Sequence, residues 1–91
     1  MTTLESLAKD LQMRPEALLR ESLEAYLRHK LKVVESELFL LAKKYGISTV
    51  NELDKLVMEG RIHEQEAFED YFKFDNLEAE RDSILKHMGN L

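Results

Sequence analysis

Residues 27–45 read LRHKLKVVESELFLLAKKY, and in them Leu27, Leu31, Val34, Leu38, Leu41 and Tyr45 recur at spacings of four, three, four, three and four before Gly46. That alternation is a heptad seam, the signature of one long helix with a continuous apolar edge. Upstream, Pro15 has the fixed φ that suits a first helical residue, and Gly46 downstream suits a left-handed cap. The pattern therefore predicts a helix over 15–45, about 31 residues and roughly 47 Å long. A compact chain of 91 residues has a radius of gyration of about 12 Å. A rod of that length either protrudes or lays its seam against a second copy, and the seam favours the second copy. The predicted dimer interface is Leu19, Leu23, Leu27, Leu31, Val34, Leu38 and Leu41, with the stripe drifting toward Leu19 and Leu23 where the heptad positions fall on Arg20 and Glu24.

The rest of the chain reads as helix as well. One proline and three glycines interrupt the 91 residues, and Leu, Glu, Lys, Ala and Arg dominate, as in long helices. Thr2 with Glu5 makes a capping-box start for a short helix through Leu4, Leu7, Ala8 and Leu11. Ser48 or Thr49 caps a third helix through Leu53, Leu56 and Val57, which stops at Gly60. A return helix should run from about 64 to 88, with Ala67, Tyr71, Phe74, Leu77, Ile84 and Met88 on one stripe interrupted by Arg81. The expected fold is all-α, a helical hairpin or bundle in a single domain over 1–91, dimerising through residues 1–46.

Charge separates the two halves. Residues 1–46 carry eight Lys or Arg against seven Asp or Glu, a net of +1, and residues 47–91 carry five against eleven, a net of −6, which together give the overall −5. A near-neutral half suits self-assembly, and an acidic half suits a basic partner. In the acidic half, Phe68, Tyr71 and Phe72 stand among Glu64, Glu66, Glu69, Asp70 and Asp75. Aromatic anchors ringed by acids are the arrangement expected where a protein surface meets a basic one. These eight residues are the candidate partner-binding set.

Catalytic chemistry finds little support. Cys is absent, which removes disulfides and thiolate chemistry. His29, His63 and His87 fall on separate elements with no HExxH spacing, so no metal site is expected. The serines and threonines sit mainly where helices begin, and the three glycines make no phosphate loop. No catalytic residue and no cofactor site is assigned. Met1 leads directly into Thr2 and Thr3 without a basic leader, and no apolar run reaches the ~20 residues a bilayer span needs, so a cytoplasmic protein without membrane association is expected.

Two stretches carry resemblances. LAKDLQMRPEALLRESLEAYLRHKL, residues 7–31, resembles the helices of ribbon-helix-helix regulators. Those regulators read the major groove with a strand ahead of the first helix, for which Met1 to Thr3 leave no room. VESELFLLAKKYGIS (34–48), NELDKLVMEGRI (51–62) and FEDYFKFDNLEAERDSIL (68–85) resemble small helical antitoxin-like proteins of archaea and bacteria, such as those paired with ribonuclease toxins of the TumE class. The resemblance implies a dimer whose C-terminal half neutralises a basic toxin. Two other functions fit the same residues. One is a helical regulator holding DNA through Lys9, Arg14, Arg20, Arg28, Lys30 and Lys32, although these alternate with Glu16, Glu21 and Glu24 and form no one-sided patch. The other is a coiled-coil structural subunit.

Overall fold

The computed structural model describes residues 2–91; Met1, where the leader reading began, lies outside them. Four helices follow in order: α1 (Thr3–Asp10), α2 (Pro15–Tyr45), α3 (Val50–Met58) and α4 (Glu64–Gly89). Among the described residues there is no strand, and no helix is long and apolar enough to cross a membrane. The chain is all-α.

Local chemistry sets the helix ends. Thr2 caps α1 by accepting the Glu5 N–H at 3.2 Å, and Thr49 caps α3 by accepting the Glu52 N–H at 3.3 Å. Glu52 in turn accepts the Ser48 N–H at 2.5 Å, so the box closes one residue further back than its usual form. Pro15 begins α2, where its missing N–H leaves nothing unpaired. Three helices stop in the same way, with a left-handed residue whose own N–H and the following N–H turn back onto the last helical turn. The left-handed residues are Gln12 (φ 56), Gly46 (φ 66) and Gly60 (φ 72). Around Gly46, for example, the Ile47 N–H reaches the Ala42 carbonyl at 2.9 Å and the Gly46 N–H reaches Lys43 at 3.3 Å. This is the Schellman closure, for which glycine is the favoured residue because it has no Cβ. Gly89 is the last residue of α4 and not a stop beyond it.

α4 packs antiparallel along α2: Lys44 meets Asp70 near one end, and Lys30 lies 3.8 Å from Glu80 further along. α3 packs on α4, and α1 packs on the start of α2, where Ala8 and Leu18 are buried. The core is the row Val34, Leu38 and Leu41 of α2 against Phe74, Leu77 and Ile84 of α4, closed by Val50 of α3. A fully buried side chain of this kind contributes about 1.5–3 kcal/mol. Arg81, the charge on the α4 stripe, keeps its side chain 34% exposed and donates Nε–H to Asp82 at 3.1 Å. Glu78 reaches from α4 to accept the Val50 N–H at 3.2 Å, satisfying a first-turn donor of α3.

This packing corrects the predicted dimer interface. The seam is filled within one chain: Val34, Leu38 and Leu41 are 2%, 8% and 7% exposed, and Leu27 and Leu31 are partly buried against the same core. Those five side chains face α4 and are not free for a second copy. Leu19 and Leu23 remain about half exposed. The rod shape survives the correction. The chain measures 61 × 18 × 18 Å with a radius of gyration of 19.2 Å, well above the compact value. A cross-section of 18 Å is about two helices side by side. Each helix can hide one stripe and must leave much of its circumference in water.

Candidate protein-binding surface

Three of the exposed apolar groups that result, Met58, Phe68 and Phe72, lie at one end of the chain's fold. At the α3–α4 end, the turn at Gly60 brings the last turn of α3 beside the first turns of α4. Within α4, Glu64, Phe68, Phe72 and Asp75 recur at four, four and three residues and share one face by helical register. Ala67 and Phe74 point inward, each 1% exposed, and Tyr71 is half-buried between the two faces. Phe68 and Phe72 stand 57% and 51% exposed. Their rings meet edge to face at 5.0 Å between centroids, and Tyr71 adds a second edge contact to Phe72 at 5.8 Å. The mutual contact holds both rings in place without a core to bury them.

Beside these rings lies a hollow of about 250 Å³, walled by Val57, Ala67, Phe68, Tyr71 and Phe72, with the carboxylates of Asp54 and Glu64 among its lining. An apolar floor with two acids is suited to a long cationic side chain, whose methylenes pack on the rings while its head pairs with a carboxylate. Asp54, on α3, is absent from the predicted set, since nothing in its own stretch of sequence links it to the aromatics ten or more residues on. Met58, 79% exposed at the end of α3, adds further apolar area at this end of the rod.

The remaining predicted residues divide. Glu66 and Glu69 are exposed and line a second hollow with Lys44, Glu64, Gln65, Phe68 and Asp70, so they border the aromatic face at Phe68 and lie outside the hollow that Tyr71 and Phe72 share. Glu64 and Glu66 also sit in the first turn of α4, where negative charge stabilises the helix dipole. Asp70 is a correction. Its carboxylate accepts from Lys44 Nζ and from the Tyr45 hydroxyl, each at 2.5 Å, and its side chain is 20% exposed. It therefore ties the end of α2 to α4 and is not available to a partner. These bonds hold the Asp70 carboxyl below its ordinary pKa, the Lys44 bond contributing most. The same carboxylate raises Lys44, while burial is the main cause that raises Tyr45.

The three histidines lie at separate points of the chain: His29 is on α2, His63 precedes α4, and His87 is in the last turn of α4. Among the described residues no group of three His, Cys, Asp or Glu side chains is placed to hold a metal ion. Of the basic residues considered for DNA, Arg28 is paired with Glu24 one turn away, and Lys30 lies within reach of Glu80.

These features define an elongated all-α protein built on an antiparallel helical hairpin, with an acid-flanked aromatic face at one end. The chain belongs to the family described as "Uncharacterized protein MJ0235 family", whose model matches residues 1–91. It is similar to the protein "Uncharacterized protein MJ0235" of Methanocaldococcus jannaschii, 30% identical over 71 residues, which is 78% of this chain and 87% of that protein. No solved structure matches the chain.

Proposed function

We propose that this chain is a non-enzymatic interaction protein that pairs with a second copy through its N-terminal half and captures a basic protein on its acidic C-terminal half, as an antitoxin captures a ribonuclease-type toxin. The observation that carries the reading is the hollow formed by Phe68, Tyr71 and Phe72 with Asp54 and Glu64. Half-exposed aromatic rings are costly to leave in water, and a partner's arginine or lysine would cover them while meeting the two carboxylates. The excess of eleven acids over five bases in residues 47–91 would steer such a partner toward this end, with a rate that falls as salt rises. A ribonuclease supplies the matching chemistry, because it holds RNA phosphates with a cationic site. The acids of α3 and α4 would occupy that site in place of the phosphates.

Co-expression with the product of the adjacent gene, followed by affinity capture at low and high salt, tests this. A small basic protein should co-purify at low salt and be released at high salt. At low salt, Asp54→Lys with Glu64→Lys should reduce capture at least about tenfold, the effect of losing charge pairs across a desolvated contact, and Phe72→Ala should reduce it as well. Failure of the wild-type chain to capture such a protein, or equal capture by all variants, overturns the reading.

A further inference from the structure

A second apolar row runs along α2 beside the seam that α4 covers. Residues 19, 23, 26, 30, 33, 37 and 40 alternate four and three apart, and five of them are Leu19, Leu23, Tyr26, Val33 and Leu40. At 100° per residue this row lies about a quarter turn around α2 from the buried seam. The five side chains are 43–65% exposed, so the described residues leave about half of each in solvent. Three heptads of such spacing on a 31-residue helix make a knobs-into-holes face that lacks its other helix.

We propose that a second copy of this chain occupies that face, with its α2 running antiparallel. The two charges in the row decide both partner and direction. Lys30 and Glu37 differ in sign and stand one heptad apart. In a parallel pair each would stack on its own like charge. In an antiparallel pair Leu23 meets the partner's Leu40, Tyr26 meets the partner's Glu37, and Lys30, which lies 3.8 Å from Glu80 of its own chain at the edge of the row, packs beside the partner's Val33, one turn from the partner's Glu37. The rest of α2 agrees. Residues 16–24 hold three Glu and one Arg, a net of −2, whereas residues 28–44 hold five Lys or Arg and two Glu, a net of +3. Antiparallel pairing sets the acidic start of each helix against the basic end of the other. Two such rows together bring on the order of 1,000 Å² of side-chain surface into contact, the threshold for a specific interface. The inference rests on the self-assembly part of the reading above, assigns it a face, and is independent of any basic partner.

Light scattering on the full chain gives the first test. The wild type should have about twice the 10.7 kDa chain mass, and Leu23→Glu with Leu40→Glu should halve that mass with unchanged helical circular dichroism. A monomeric wild type overturns self-assembly altogether. A dimer that persists in the double variant overturns this face and leaves self-assembly standing. Cysteine pairs give a second test that keeps the face intact, and the chain has no cysteine to interfere. Leu23→Cys with Leu40→Cys places two thiols on one helix about 25 Å apart, too far for an internal disulfide. Mild oxidation should join two copies through this pair far faster than through Leu23→Cys alone. Faster joining through Leu23→Cys alone would show a parallel pair and overturn the proposed direction.

Discussion

Phe74→Ala tests the central claim of the fold, that the heptad seam of α2 is closed by α4 of the same chain. Phe74 is 1% exposed and packs in one cluster with Val34, Leu38 and Leu41. Truncating a buried phenylalanine costs about 3–5 kcal/mol, less where the walls can collapse into the gap. In a rod 18 Å across the gap lies close to solvent on both sides, so the low end, about 3 kcal/mol, is expected. A domain of 91 residues has a total stability of roughly 5–14 kcal/mol, and the melting temperature should fall by roughly 12–24 °C. Urea unfolding followed by far-ultraviolet circular dichroism should show a lower midpoint at an unchanged slope. Phe72→Ala is the control. That ring lies two residues away and is 51% exposed, so its loss should cost under about 1 kcal/mol. The difference between the two variants should not change over a fifty-fold dilution, because both act within one chain. Equal costs for Phe72→Ala and Phe74→Ala would refute the packing, and a Phe74→Ala penalty that grows on dilution would place α4 against another copy.

Two further perturbations have signs that follow from local geometry. Asp70→Asn should lower stability at intermediate pH and flatten its dependence on pH. The folded Asp70 carboxyl is held below its unfolded value of about 4, so its contribution is fully present above about pH 5 and is lost as pH falls through the folded value. Lys44 and Tyr45 are raised, so their contributions hold below about pH 9 and are lost as pH climbs through their folded values. Melting temperatures across pH should show wild type and Asp70→Asn converging at both extremes, acid first, and a constant gap from pH 7 to pH 2 would exclude the pairing. Gly46→Ala and Gly89→Ala should act in opposite directions. Neither added methyl meets an atom within 4 Å, but Gly46 has φ 66. Its substitution should therefore cost about 1 kcal/mol in backbone strain, whereas Gly89→Ala in the last helical turn should stabilise by up to about 1 kcal/mol; equal signs in thermal melts would contradict this.

What the sequence shows and what it hides divide according to distance along the chain. The ends of α2 are legible because Pro15 and Gly46 act on their own backbone, and the caps at Thr2 and Thr49 reach only three residues. The inner stripe of α4 is legible for the same reason, since Ala67, Tyr71, Phe74, Leu77 and Ile84 are neighbours on one helix. A heptad seam states only that a helix packs there, and the same spacing serves a helix of the same chain or of another. Asp70 looks like surface charge because its partners, Lys44 and Tyr45, lie 26 and 25 residues away. Asp54 reaches the aromatic face only through the turn at Gly60.

The departure of the seam near Arg20 and Glu24 is where the sequence signal is most informative in retrospect. α4 has 26 residues against 31 in α2, a shortfall of roughly 8 Å, so it cannot follow α2 along its whole length. Beyond its reach α1 takes over through Ala8 and Leu18, from a different side of α2. The seam therefore ends where its cover ends, which is why its heptad positions can turn to Arg20 and Glu24 without burying a charge. Leu19 and Leu23 are then not a drift of that seam but the first two members of the outer row that continues through Tyr26, Val33 and Leu40. If one helix carries two apolar rows and its own chain covers only one, substitutions along the two must behave differently. Changes at Val34 or Leu38 should unfold the chain, and changes at Leu23 or Leu40 should leave it folded and alone.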